Sequence, residues 1–323
     1  MSPTETVSVI VVSWNSWNVL PACLRAIDAA AEAWSGRVEV VVVDNASEDG
    51  TVVNLDREFP AVRVLPQTQN HGFPKACNMG LAVATGESVL MLNPDVEIAV
   101  DTFQRCVARL DADPSVGLLG VRLIDEEGVT QPESARRFPS EWWLLCEALY
   151  LHKLAPKTRL FGGLNYGEWD HLSERYVPCI VGAFMLFRGS VLRELGGFDE
   201  SVFMYFEDVD ICQRIWNAGW RVLYLPEPAA AHQAGTSRGK ADPDLSASLD
   251  ALKGEVAWRF TATHRRPHWR VVAIKAEIIL YALVRLVVLP GTALALHGSM
   301  RNASYGIRVN LSLVAWALRR KAT

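Results

Sequence analysis

Between Val38 and Val43, five of six residues are valine. An apolar run without alternation suits a strand buried on both faces, as in a parallel sheet covered by helices on either side. The neighbouring segments agree. Val7–Ser13, Val62–Leu65 and Ser88–Leu92 predict further strands. Val19–Ala33 and Lys75–Ala84 predict helices, as does Ser47–Phe59, with Ser47 as its cap and Gly50 in its first turn. This βαβα order implies an α/β fold: a single Rossmann-like, mostly parallel sheet flanked by helices. The chain has 323 residues, 50% of them hydrophobic, enough for one large domain with a core of its own, or for a domain and an appendage.

Beyond the first half the pattern changes. From Val116 to Arg175 the sequence is rich in Trp, Gly and Pro and predicts loops and short helices around a cleft. Order returns with a strand over Ile180–Phe187, a short helix over Ser190–Leu195 and a turn at Gly196-Gly-Phe-Asp199. A helix over Glu207–Asn217, a strand over Arg221–Leu225 and a small-residue strand, Ala229–Ala231, complete the block.

Charge sets the C-terminal segment apart. The net charge is −4, yet eleven Arg and Lys against one acid, Glu277, lie from Arg259 onward. Val271–Leu289 is apolar apart from Lys275, Glu277 and Arg285, which share an arc of roughly 160° on a helix. Ile307–Leu318 is a second apolar stretch and ends in Arg319-Arg-Lys321. These features predict a catalytic domain over 1–258 and a basic, apolar helical tail over 259–323. An amphipathic helix on a membrane surface fits the tail better than a spanning one; a helix packed on the body or on a second subunit is the alternative. The six cysteines form no CxxC pair, which argues against structural zinc and a disulfide framework and suggests a reducing cytosol. The apolar run at Val7 lacks a basic n-region and a small-residue cleavage site, so it reads as a core strand and not a signal peptide. No nucleic-acid-binding motif is present.

GxGxxG after the first strand, GxxxxGK[ST], GxSxG and HExxH are all missing, which removes support for dinucleotide oxidoreductases, P-loop kinases, serine hydrolases and zincins. Polar residues following apolar runs are what remains: Ser13-Trp-Asn15, Asp44-Asn45 and Asn93-Pro-Asp95. Ligands bind at such strand ends in open α/β sheets. Asp44 suits a base imino N–H or a ribose hydroxyl, and equally a helix cap. Trp14 suits stacking on a base, or core packing. Asp95, fixed behind Pro94, suits Mg2+ or Mn2+, or a plain turn. Glu207, Asp208 and Asp210 open a predicted helix just after an aromatic stretch; such acids suit a general base, or simply the helix dipole. His232 gains meaning only as a further metal ligand in combination with these.

Taken in order, these stretches resemble family 2 inverting glycosyltransferases of the GT-A fold, and most of all their bacterial rhamnosyltransferase branch. The resemblance rests on Val9-Ile-Val-Val-Ser-Trp-Asn15, Val42-Val-Asp-Asn-Ala-Ser-Glu-Asp-Gly-Thr51, Asn70-His-Gly-Phe73 with Ala76-Cys-Asn78, and Leu92-Asn-Pro-Asp95. It continues through Gly182-Ala-Phe-Met185, Gly196-Gly-Phe-Asp-Glu200, Phe203-Met-Tyr-Phe-Glu-Asp-Val-Asp210 and His232 with Ser237. It implies a nucleotide-sugar site of Ser13, Trp14, Asn15, Asp44, Asn45, Lys75, Asn78, Asn93, Pro94 and Asp95. It further implies Asp95 and His232 as ligands of Mg2+ or Mn2+, and Asp208 as the base. Gly182, Ala183, Glu207 and Asp210 would border the acceptor, with Asp210 and Arg214 shaping that side or holding the helix. Asn93 stands where the family usually carries the first acid of Asp-x-Asp, which weakens metal affinity but is common in the rhamnosyl branch.

Ser134-Ala-Arg-Arg-Phe-Pro-Ser140 also resembles that branch. Arg136 and Arg137 suit an acceptor's diphosphate, or form a solvated basic turn. The implied reaction is transfer of L-rhamnose from dTDP-L-rhamnose, with inversion, to a polyprenyl-diphosphate-linked sugar at the cytoplasmic face of the membrane. Alternatives are another donor such as UDP-GlcNAc or UDP-galactose, a catalytically silent nucleotide-sugar-binding scaffold, or a membrane-tethered structural protein.

Overall fold

Valine-rich strands with no polar face require cover on both sides, and the structure supplies it. It is a computed structural model that describes residues 5–138 and 157–233, together with 140, 142, 143, 146, 155, 276, 279 and 283. The chain divides into two compact units, Met1–Arg137 with Asp170–Gly239, and Phe138–Trp169 with Lys240–Thr323. In the second unit, the Trp142 indole donates to the Leu160 carbonyl at 2.8 Å, and its ring lies 6.0 Å from that of Phe161. The predicted boundary at 258/259 and the basic tail lie outside the described residues, three isolated positions apart. No helix among the described residues is long and apolar enough to cross a membrane.

The first unit begins β1 (Thr6–Ser13), α1 (Leu20–Glu32), β2 (Arg37–Asp44), α2 (Thr51–Glu58), β3 (Arg63–Pro66), α3 (Phe73–Leu81), β4 (Ser88–Leu92). These are the predicted elements, with shifted ends. α2 starts four residues later than expected, because Gly50 takes a left-handed φ of 82° and forms the helix entry in place of Ser47. Then follow β5 (Val96–Glu97), α4 (Thr102–Ala112) and β6 (Val116–Ile124). The last corrects the expectation of irregular structure from Val116: nine residues there form a strand. A 3-10 turn (Pro132–Ser134) and β7 (Ala135–Arg136) lead on to β8 (Arg175–Tyr176), β9 (Cys179–Ile180) and β10 (Phe184–Arg188). α5 (Gly189–Glu194), α6 (Glu207–Asn217) and β11 (Arg221–His232) complete the unit. The strand expected over Ile180–Phe187 is thus two strands split at Val181–Ala183, whereas the two expected over Arg221–Leu225 and Ala229–Ala231 are one, with a register shift between Leu225 and Ala230.

Among the described residues the main sheet runs β3-β2-β1-β4-β10-β6-β11-β5, with β8 paired to β11. β1 is parallel to β2 and β4, β2 to β3, and β6 to β11. β10 is antiparallel to both neighbours, and β5 and β8 are antiparallel to β11. The sheet is therefore mixed rather than mostly parallel. On one face Val7, Val9 and Val11 share a core with Leu24 and Ile27 of α1 and Phe103 and Leu110 of α4. On the other, α3 comes so close that a Cβ on Gly80 would lie 2.5 Å from Ile10.

Parallel register decides where the polar strand ends fall. Ser13 pairs with Asp44, and Val11 with Leu92, so three strands finish along one edge. Gly72 tightens that edge. It has φ 84° and ψ 167°, a region that is essentially glycine-only, and a Cβ there would lie 2.4 Å from the Phe203 carbonyl oxygen. Gly72→Ala is expected to lower stability by about 1–3 kcal/mol. Urea unfolding would measure the loss; an unchanged midpoint would contradict the assigned backbone.

Candidate functional site

At the edge where β1 and β2 end, burial leaves specific atoms unmet. Asp44 is 2% exposed. Its Oδ2 accepts the Ser47 N–H at 3.0 Å, so Asp44 does support the turn before α2. Its Oδ1, and the hydroxyl of the adjacent Ser13, are buried without a hydrogen-bond partner among the described residues. An unmet buried acceptor costs about 1–3 kcal/mol, recoverable when a ligand brings a donor. Trp14 is 40% exposed beside them, not packed in the core. Asn15 joins the two loops: its N–H donates to the Ser47 hydroxyl at 2.8 Å and its Oδ1 accepts the Glu48 N–H at 2.7 Å.

Asn45 and Asn78 have internal work. The Asn45 amide donates to Asn70 Oδ1 at 2.8 Å and accepts the His71 N–H at 2.9 Å, fixing the loop that enters α3. Asn78 accepts the Phe198 N–H at 2.8 Å and donates to the Phe198 carbonyl at 2.9 Å and to Glu200 at 3.0 Å. Lys75 is half-buried on α3.

At the end of β4 the Asn93 N–H donates to the Ala183 carbonyl at 3.0 Å, and Pro94 turns the chain so that Asp95 is 6% exposed. The Asp95 carbonyl accepts the Gln233 N–H at 3.1 Å, while His232 pairs with Val96 in the sheet. These backbone contacts bring His232 Nε2 to 3.7 Å from Asp95 Oδ1. Burial lowers the His232 pKa, against the opposing charges of Asp95 and Glu133, which favours the neutral imidazole. One neutral imidazole and one carboxylate suit Mg2+ or Mn2+, ions that complete their shells with phosphate oxygens and water. No cluster of three or more His, Cys, Asp or Glu suited to a metal occurs among the described residues.

Gly182 and Ala183 link this corner to the acids of α6. Gly182 N–H donates to Asp208 Oδ2 at 3.2 Å, while Asp208 Oδ1 accepts the Val209 N–H at 2.8 Å. Arg136 Nη2 also bonds Asp208 Oδ2. Arg136 is thus the ion-pair partner of Asp208 and not a solvated turn residue, and Arg137 follows it, half-buried. Two successive left-handed residues, Tyr205 (φ 69°) and Phe206 (φ 64°), deliver Glu207 and Asp208 into the site. Asp210 accepts from Arg214 Nε at 2.7 Å, and Arg214 also donates to the carbonyls of Leu195 and Gly197, so this pair holds the helix and the preceding turn.

The sequence offered no signal for Gln131. This residue, 8% exposed, places Oε1 2.7 Å from His232 Nδ1 and donates through Nε2 to the His232 carbonyl at 2.8 Å.

Residues 8–196 match the profile of Glycosyl transferase family 2, and residues 160–303 that of Glycosyl transferase family group 2. The N-acetylglucosaminyl-diphospho-decaprenol L-rhamnosyltransferase of Mycobacterium tuberculosis is 30% identical over 83% of this chain and 87% of its own length. Rhamnosyltransferase WbbL of Escherichia coli is 29% identical over 47% of this chain and 54% of its own. A mannosyltransferase from Pyrobaculum calidifontis, solved in complex with GDP-Man and Mn2+, superimposes with a TM-score of 0.56 at 22% identity, covering 97% of this chain and 88% of that one. At that identity the superposition speaks for the fold alone.

Burial, together with the charge of Asp208, pushes the Glu207 carboxyl up to about 8; Arg136 and backbone N–H groups oppose the shift only in part. The folded protein then holds a proton that an exposed glutamate loses near 4.5. The stability that Glu207 contributes therefore declines as pH rises through this window. In Glu207→Gln that decline should flatten, so the variant gains on wild type from pH 5 to pH 8 in urea unfolding. Parallel curves for the two proteins would contradict a protonated Glu207.

Proposed function

The chain belongs to glycosyl transferase family 2 and is a glycosyltransferase, and on that premise we propose that it moves L-rhamnose from dTDP-β-L-rhamnose, with inversion, to a polyprenyl-diphosphate-linked sugar. The observation that carries the reading is the anchoring of two acids to the backbone of two consecutive residues, Gly182 and Ala183. The Ala183 carbonyl holds the turn leading to Asp95, and the Gly182 N–H holds Asp208. A donor's leaving group and an acceptor's hydroxyl need such neighbouring but distinct carboxylates.

On the donor side, Asp44 Oδ1 suits the imino N–H of thymine, and Trp14 offers a face for the ring. Asp95 and His232 would hold Mg2+ or Mn2+, which supplies charge stabilisation to the departing diphosphate. On the acceptor side, Asp208 takes the hydroxyl proton. The acceptor oxygen then bonds the anomeric carbon, and the bond to the diphosphate breaks with its electron pair leaving on oxygen. Gly182, Val209 and Arg136 orient the carboxylate for this step. Glu207 lies beside Gly182, where a protonated carboxyl can donate to a sugar hydroxyl. Arg136 and Arg137 would offer guanidinium groups to the acceptor's diphosphate. The relative's name, with its diphospho-decaprenol acceptor, supports a lipid-linked acceptor here. The basic, apolar composition after Arg259 fits work at the cytoplasmic face of the membrane.

Asp208→Asn is expected to lower transfer by about 10²–10⁴-fold or more while donor binding, read by thermal shift, persists. Turnover near wild type would sink the assignment of the base. With dTDP-rhamnose, UDP-GlcNAc and UDP-galactose compared in the same assay with Mn2+, the rhamnosyl donor should give the highest kcat/KM; preference for a UDP-sugar would overturn the donor.

A further inference from the structure

We propose that Gln131 is a positioning residue that selects one tautomer of His232, so that the lone pair of Nε2 faces Asp95 and a divalent cation. The inference rests on the reading of Asp95 and His232 as metal ligands and adds to it a residue outside that pair.

The two ends of one amide fix the tautomer. Gln131 Nε2 is 2.8 Å from the His232 carbonyl oxygen, an atom that only accepts. The NH2 group must face it, so Oε1 is the end that meets His232 Nδ1 at 2.7 Å. Oε1 also only accepts, so Nδ1 must carry the hydrogen. In the neutral ring that metal binding requires, Nε2 is then left bare. It lies 3.7 Å from Asp95 Oδ1. A bare imidazole nitrogen and a carboxylate oxygen facing each other repel unless a cation lies between them, and a histidine bound through Nε2 needs this tautomer.

Gln131 is itself pinned. Its N–H donates to the Leu123 carbonyl at 2.8 Å, and its carbonyl accepts the hydroxyl of Ser134. That hydroxyl in turn accepts the Leu123 N–H at 3.1 Å. β6 therefore fixes the glutamine backbone on one side of His232, while β5 pairs with the histidine on the other. The residue is 8% exposed, so water has little access to replace its side chain. The same short segment ends at Arg136, the partner of Asp208.

The test is Mn2+ binding, followed by electron paramagnetic resonance of the free ion in full-length protein with dTDP present. Gln131→Met keeps the volume but removes both polar ends, and should weaken Mn2+ by about 10–100-fold, the usual effect of losing an outer-shell partner. Gln131→Glu keeps an acceptor for Nδ1–H and should hold Mn2+ better than Gln131→Met. His232→Ala and Asp95→Ala set the scale for losing a ligand. Nitrogen-15 NMR of the metal-free protein should show His232 protonated on Nδ1, with mixed tautomers in Gln131→Met. Wild-type Mn2+ affinity in Gln131→Met alongside weakened His232→Ala overturns the role of Gln131 and leaves the ligand assignment standing. Unchanged affinity in both His232→Ala and Asp95→Ala removes the metal reading itself, and this proposal with it. A urea midpoint for Gln131→Met close to wild type separates positioning from a general loss of fold.

Discussion

The site depends on one strand that runs against its neighbours. β10 enters the sheet antiparallel between β4 and β6, so it starts at the edge where those strands finish. Its lead-in, Gly182–Ala183, therefore lies among the polar strand ends. The Gly182 N–H binds Asp208, and the carbonyl of the next residue, Ala183, binds the turn after β4. A parallel strand in that position would have brought its carboxyl end there instead, and no backbone link of this kind would join the two acids.

Pairing on the far side of β6 completes the arrangement. β11 is parallel to β6, so its last residue, His232, reaches the same edge. The two-residue strand β5, just after Asp95, then closes against it. Sheet hydrogen bonds thus bring a histidine to an acid 137 residues earlier in the chain (232 against 95). The side chains inherit their positions from the backbone, which suits a site that must offer its ligands without reorganising.

Much of this edge was legible in the sequence, for a physical reason. Asp44, Asp95 and His232 each follow an apolar run, and a polar residue there marks a strand end. Strand direction carries no such mark. Phe184–Arg188 reads the same parallel or antiparallel, so the mixed sheet needed tertiary pairing to appear. β6 was hidden because Gly117, Gly120 and Arg122 interrupt its apolar pattern; Gly120 is required by Ile180, which a Cβ would approach to 2.6 Å. The period of α4 is in the sequence, with Phe103, Cys106, Val107 and Leu110 spaced as one helical face. Gln131 carried no signal, being a polar residue before a proline in a stretch without period. The two adjacent arginines suggest a phosphate ligand from the sequence, but the pairing of Arg136 with Asp208 spans 72 positions and appears only in the fold.

In the proposed reaction the leaving diphosphate and the base act on opposite faces of the same anomeric carbon. The configuration of the product reports this most directly. With dTDP-β-L-rhamnose and a short polyprenyl-diphosphate sugar, NMR of the isolated product should show an α-linked rhamnose. A β-linked product would mean retention, and would contradict a single displacement with Asp208 as base.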